Sequence, residues 1–164
     1  MDVVFITPAN SKKIYQELAN EYTAIEPPTW SLLLAESCRS KGYKVSIIDC
    51  NAENLNLEET FNRVTKLKPK LICFVVYGQN VNAGTTSMSG ATYLSEYLKS
   101  KNSDFNIAYV GSHVQALPEL TLQNEKSIDF VFANEGVYAL HNVLKLNEFS
   151  VKELRNINGI VFRN

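Results

Sequence analysis

Two histidines and three cysteines are the side chains of this sequence best suited to bind a metal or attack a substrate. Cys38, Cys50 and Cys73 stand far apart, without a C-x-x-C or another metal-ligand spacing, so we expect three buried thiols in a reducing compartment. His113 follows an apolar run, whereas His141 falls inside a helix-period segment. We expect His141 to be structural and His113 to contact a ligand without coordinating a metal.

Several common ligand-binding and catalytic motifs are missing. The first apolar run is not followed by G-x-G-x-x-G, and the chain has neither a Walker loop nor a G-x-S-x-G elbow. A phosphoacceptor domain would need acidic residues where this chain has Thr7-Pro8 and Tyr77-Gly78. Because the sequence offers no paired acid and base and no activated nucleophile, it disfavours a small enzyme that acts alone.

The composition is that of a single globular domain. Of the 164 residues, 45% are hydrophobic and 20% are charged. The net charge of -1 provides no basic field, so we expect neither a nucleic-acid partner nor a membrane surface. No segment approaches the roughly 20 apolar residues that span a bilayer, and residues 1–6 predict a strand instead of a signal peptide. We therefore expect a cytoplasmic protein.

Five short apolar runs predict the strands that position the candidate site. They are residues 3–6, 44–48, 71–76, 107–110 and 130–132. Amphipathic helices separate the strands. The first has its apolar positions at Trp30, Leu33, Leu34 and Cys38 and ends with Gly42 at C′, and the second has them at Leu57, Phe61, Val64 and Leu67 and ends before Pro69. The third is marked by Ala91, Leu94 and Leu98, a short fourth helix starts near Pro118, and the last is marked by Val137, Leu140, Val143 and Leu144. This alternation predicts a doubly wound α/β domain, Rossmann- or flavodoxin-like, with a five-stranded parallel sheet and helices on both faces. Residues 159–162 add one short strand, at an edge of the sheet.

Ligands of open α/β sheets bind outside the carboxyl ends of the strands, so the segments after each strand are the candidate site. The Gly111-Ser112 pair leaves no bulk above the sheet, which would admit a flat group. Small and polar residues at 81–90 indicate either a ligand-binding loop or an ordinary turn. The long segment 7–26 indicates either an ordered flap or a helix that extends the core. Glu135 precedes the last predicted helix. Either the first amides of that helix bind a polar group of the ligand, or Glu135 only complements the positive end of the helix.

Five stretches of the chain resemble a known family. They are V-V-F-I-T-P-A-N at 3–10, the segment from E-P-P-T-W to S-I-I-D at 26–49, K-P-K-L-I-C-F-V-V-Y-G at 68–78, V-G-S-H-V-Q-A-L-P-E at 110–119 and I-D-F-V-F-A-N-E-G at 128–136. In this order and spacing they resemble the cobalamin-binding amino-terminal domain of B12-dependent radical-SAM enzymes. The closing N-G-I-V-F-R-N resembles the segment that precedes the catalytic barrel of that family.

The resemblance implies a cobalamin on the carboxyl edge of the sheet, with its nucleotide tail inside the domain. It implies that Gly111 and Ser112 flank the tail, and that Tyr77 and Gly78 line the corrin or the tail. The full set of cofactor-binding residues that we expect is Thr7, Pro8, Tyr77, Gly78, Gln79, Gly111, Ser112, His113, Asn134, Glu135 and Gly136.

Three features depart from cobalamin-binding patterns. The family usually has two glycines where this chain has Gly111-Ser112, and a glycine in place of Asn134. The D-x-H-x-x-G motif of other cobalamin modules is absent, so the lower ligand of cobalt is not expected to come from that position. Water, no ligand or another side chain remain as options for the lower face of cobalt.

The chain also lacks the C-x-x-x-C-x-x-C of radical-SAM domains. S-adenosylmethionine and an iron–sulfur cluster would therefore belong to an absent carboxyl-terminal catalytic domain. This radical-SAM domain is the expected partner, and it is either in cis or missing. We expect residues 1–150 to form the cobalamin-binding domain and residues 151–164 to be an extension leading to that catalytic domain. The function implied is that of the binding module of a radical-SAM methyltransferase or cyclase, without catalysis by this chain alone. The alternative is a cofactor-free interaction or regulatory domain of the same fold.

Overall fold

The computed structural model describes residues 1–9, 26–78 and 81–163, with the backbone alone for residues 81–83 and 86. The expected flap between residues 10 and 25 and the predicted site residue Gln79 lie outside the described residues.

The described residues form one six-stranded sheet in the order β2-β1-β3-β4-β5-β6. The first five strands pair in parallel, and β6 pairs antiparallel with β5 at one edge. This confirms the predicted fold class, and the extra strand lies at an edge as expected. The strands are β1 (Val3–Thr7), β2 (Val45–Asp49), β3 (Leu71–Val75), β4 (Ile107–Val110), β5 (Phe130–Phe132) and β6 (Ile160–Phe162).

The helices of the described chain pack in two layers. The first helix, α1, and the helix after β5, α6, cover one face of the sheet, and α2, α3, α4 and α5 cover the other. The helices are α1 (Thr29–Arg39), α2 (Leu57–Leu67), α3 (Val81–Lys101), α4 (Ser112–Ala116), α5 (Pro118–Asn124), α6 (Val137–Lys145) and α7 (Val151–Leu154). No helix of the described segments is long and apolar enough to cross a membrane.

Local sequence accounts for the bounds of α2. The Asn56 side chain accepts from the backbone N–H of Glu59, whose carboxylate accepts from the N–H of Asn56, which is a capping box. The helix ends at Leu67 because Lys68 is left-handed and Pro69 cannot continue it. The prediction for this helix is confirmed.

The predicted buried face of α1 is partly wrong. Leu34 and Cys38 are buried as expected, but Trp30 is 39% exposed and Leu33 is 58% exposed. Ser31 takes part in the buried face instead, because its hydroxyl pairs with that of Thr7 at 2.9 Å. A polar residue with such a partner can enter the core side of a helix, which hydrophobic periodicity does not reveal.

Two predicted boundaries also differ. Gly42 has φ +86° as a helix stop requires, but it lies two residues beyond the C-cap Ser40 and not at C′. The polar segment 81–90 is helical and forms the first half of α3. Packing holds it there: a methyl group on Gly90 would overlap the backbone carbonyl of Ala9, so glycine lets this helix approach the segment after β1.

Residues 151–163 pack onto the same sheet. Ala133 N–H donates to the carbonyl of Gly159, and Leu154 is buried against the α1/α6 layer. The Arg163 guanidinium donates to three backbone carbonyls at and after the end of α5, those of Leu122, Glu125 and Ile128. These bonds fix the position of β6 relative to the helix.

Candidate cofactor site at the carboxyl edge

The strand order defines where the chain changes direction. After β1 the chain adds β2 on one side of it, whereas β3 lies on the other side of β1 and is followed outward by β4 and β5. The direction in which strands are added to the sheet therefore reverses between β1 and β3. Thr7 ends β1 and Pro8 follows it, and Tyr77 and Gly78 follow β3 at the same edge. In open α/β sheets this position is the usual ligand site.

An aromatic stack occupies this position on the α1/α6 side. The rings of Trp30 and Tyr77 have centroids 4.3 Å apart and planes 20° apart. The Tyr77 hydroxyl is buried and has no hydrogen-bond partner among the described residues. Burial, with a smaller contribution from the Glu135 carboxylate, raises the pKa of Tyr77 to about 12. The hydroxyl is therefore a neutral group at physiological pH and can both donate and accept.

Sequence reasoning missed Trp30 as a site residue. It was assigned to the core face of α1, yet the structure places it against Tyr77 with part of its ring exposed. A signal for its position was present. A helix that follows a strand of a parallel sheet begins at the carboxyl edge, and Trp30 lies in the first turn of α1.

The glycine and serine after β4 serve packing within the protein. A methyl group on Gly111 would overlap the backbone carbonyl of Val76, and one on Gly84 of α3 would overlap the hydroxyl oxygen of Ser112. The small size of these residues thus allows close contact with the residue after β3 and with α3. Within the described part of the chain, the Ser112 hydroxyl is buried without a hydrogen-bond partner.

Both histidines have polar partners among the described residues. His113 is half-buried and its Nδ1 lies 3.3 Å from the Thr85 hydroxyl of α3. His141 joins α6 to α1 through the Ser37 hydroxyl, 3.0 Å from its Nε2. Within residues 1–9, 26–78 and 81–163, no three His, Cys, Asp or Glu side chains are grouped as a metal would require.

The segment after β5 forms a turn into α6. The Asn134 side-chain oxygen accepts from the N–H of Gly136, which has φ +81° as the N-cap of that helix. The Asn134 amide also packs against Gly159, where an added methyl would lie 2.6 Å from its nitrogen. Asn134 and Glu135 are exposed. The asparagine therefore has a structural role in joining β5 to the start of β6.

Comparison with known proteins identifies the family. A family model of the B12 binding domain matches residues 17–144. An uncharacterized methyltransferase of Pyrococcus horikoshii is 26% identical over 137 residues, which cover 84% of this chain and 28% of that protein.

Two solved structures share the fold. The radical S-adenosylmethionine methyltransferase TsrM of Kitasatospora setae superposes with a TM-score of 0.70 at 12% identity, over 99% of this chain and 28% of its own. The cobalamin-dependent S-adenosylmethionine radical enzyme OxsB superposes with a TM-score of 0.63 at 18% identity, over 99% of this chain and 21% of its own. The chain thus spans less than a third of each of these relatives. It belongs to the B12-binding domain family.

Proposed function

We propose that the chain binds cobalamin at the carboxyl edge of its sheet. The observation that carries the proposal is a pair of buried hydroxyls without partners, those of Tyr77 and Ser112. Buried polar atoms are almost always hydrogen-bonded, and of the described residues only Glu125 has another such atom. Cobalamin carries peripheral amides, a phosphate and a ribose, each of which could pair with a hydroxyl. The residues at this edge therefore fit the cofactor that the family binds.

The two sides of this edge differ in the contacts that they make. Helix α3 lies against the ends of β1 and β4, through Gly90 and Gly84. The opposite layer offers the Trp30–Tyr77 stack instead. On this proposal Tyr77 and Ser112 hydrogen-bond to the cofactor, and the remaining predicted residues line it, namely Thr7, Pro8, Gly78, Gln79, Gly111, His113, Asn134, Glu135 and Gly136.

The cobalt is proposed to receive no protein ligand. Thr7-Pro8-Ala9 replaces the start of the D-x-H-x-x-G motif, and His113 faces Thr85 on the α3 side. When bound, the cofactor would supply methyl-transfer or electron-transfer chemistry at cobalt, while the chain supplies position and exclusion of water.

We further propose that the chain is the amino-terminal module of a radical-SAM methyltransferase or cyclase in the cytoplasm. Residues 1–150 would hold cobalamin, residues 151–164 would lead onward, and a partner domain would hold the iron–sulfur cluster and S-adenosylmethionine. The likeness to enzymes named as methyltransferases and radical-SAM proteins supports the partner. The buried free thiols Cys38, Cys50 and Cys73 support a reducing compartment.

Titration of the chain with hydroxocobalamin tests the proposal. We expect a shift of the visible spectrum and saturable heat in calorimetry. Ser112→Ala should weaken binding about fivefold, since it removes one hydrogen bond of about 1 kcal/mol. Ser100→Ala is the matched control, because that hydroxyl is exposed and donates to the Tyr97 carbonyl far from the site. No spectral change and no heat at hundreds of micromolar would contradict the proposal and favour the cofactor-free interaction or regulatory domain.

A further inference from the structure

We infer that the exposed face of Trp30 is the stacking surface for the aromatic base of the nucleotide tail of cobalamin. This inference rests on the proposed function and assigns one part of the cofactor to one side chain.

The position of Trp30 is held by its neighbours. The first turn of α1 is tied to the end of β1 by the hydrogen bond between the Ser31 and Thr7 hydroxyls, 2.9 Å long. One face of the indole lies on Tyr77, in a nearly parallel arrangement. A tryptophan fixed in this way loses little conformational entropy when another ring stacks on it.

The indole keeps an exposed surface that Tyr77 does not cover. Trp30 is 39% exposed, although a tryptophan of a domain core normally buries most of its surface. A third ring placed on this surface would continue the stack that Trp30 and Tyr77 begin. It would also lie one ring away from the unpaired Tyr77 hydroxyl, which could hydrogen-bond to the polar groups that flank the base.

The chemistry of the cofactor favours the tail over the corrin. The corrin ring is puckered and carries methyl and amide groups above and below its plane, so an indole cannot lie flat on it. The benzimidazole base of the tail is flat on both faces. With no histidine from the chain proposed for cobalt, recognition of the tail by the protein must come from contacts of this kind, and stacking on an aromatic side chain is a strong one.

Paired titrations with cobalamin and cobinamide, which lacks the nucleotide tail, test the inference. We expect Trp30→Ala to weaken cobalamin binding about tenfold. The same variant should leave cobinamide binding within about twofold, because the corrin does not contact the indole. Trp30→Phe keeps a flat ring and should recover most of the loss for cobalamin. Leu33→Ala is the control, since Leu33 is 58% exposed on the same helix and lacks an aromatic face.

The outcomes separate this inference from the proposed function. If the parent chain binds neither ligand, the proposed function fails and the inference fails with it. If the parent chain binds both ligands equally well, or if Trp30→Ala weakens both by the same factor or neither, cobalamin binding stands and the stacking role is overturned. Circular dichroism and the melting temperature of each variant verify that it is folded. If Trp30→Ala is not folded, Trp30→Leu, which keeps an apolar side chain but has no flat ring, supplies the same test.

Discussion

The hydroxyl of Tyr77 offers a substitution with opposite expected effects on stability and on binding. Tyr77→Phe removes one oxygen and keeps the ring stacked on Trp30, whose centroid lies 4.3 Å away. The oxygen is buried without a partner, so the folded chain without cofactor bears the cost of its desolvation. Measured costs of such groups in proteins are about 1–3 kcal/mol.

The cofactor-free variant should therefore be more stable than the parent chain. We expect the free energy of unfolding to rise by about 1 kcal/mol, the low end of that range, because the rest of Tyr77 is only half-buried. For a chain of this length 1 kcal/mol corresponds to about 2–4 °C in melting temperature. Differential scanning calorimetry of the two cofactor-free proteins measures this difference.

Cobalamin binding should change in the other direction. If the hydroxyl pairs with a polar group of the cofactor, Tyr77→Phe loses about 1 kcal/mol of binding free energy, or about fivefold in Kd. Tyr93→Phe is the control, because Tyr93 is 62% exposed and its substitution should alter neither quantity. A destabilised cofactor-free variant with unchanged affinity would refute the reasoning, since it would mean that the hydroxyl already has a partner within the protein.

Three further predictions concern the scaffold. Gly111→Ala should lower the free energy of unfolding by about 1–3 kcal/mol in urea titrations, because its methyl group would overlap a backbone carbonyl; a variant as stable as the parent would contradict the close contact. Ser95→Ala should lower the free energy of unfolding by about 2 kcal/mol in the same assay, since the Ser95 hydroxyl hydrogen-bonds in the core to the hydroxyls of Tyr109 at 2.6 Å and Ser127 at 2.7 Å. A decrease of less than about 0.5 kcal/mol would mean that the Tyr109 and Ser127 hydroxyls find other partners. Burial raises the pKa of Cys50 from 9.0 to about 11, so its contribution to stability is complete below pH 9 and is lost as the pH rises towards 11. Cys50→Ala should accordingly flatten the fall in melting temperature across this range, and an unchanged slope would argue against the raised pKa.

The sheet could be predicted because its signal is local. Every residue of β3 is buried, and five apolar residues in succession indicate a strand covered on both faces. The topology then follows from the strand–helix alternation, and with it the edge at which Thr7, Tyr77 and Ser112 meet.

The parts that sequence reasoning missed depend on contacts between distant residues. Residues 81–90 read as a loop because they are small and polar, yet they are helical where glycines pack against the ends of β1 and β4. Gly84 and Ser112 are neighbours across 28 positions of sequence, and no periodicity reveals such a pair. The orientation of α1 was missed for the same reason, because it depends on the bond between Ser31 and Thr7.

The direction of β6 affects how any following domain could reach the cofactor. Ile160 lies opposite Phe132 and Phe162 lies opposite Phe130, so β6 runs from the carboxyl edge of the parallel strands back towards their amino edge. Polypeptide continuing from Phe162 would thus start on the side away from Trp30 and Tyr77. A catalytic domain seated over the cobalamin would need a connecting segment that returns across the height of the sheet, about 17 Å for a five-residue strand. The length and stiffness of that connection, more than the strand itself, would set how freely such a domain could lift off the cofactor.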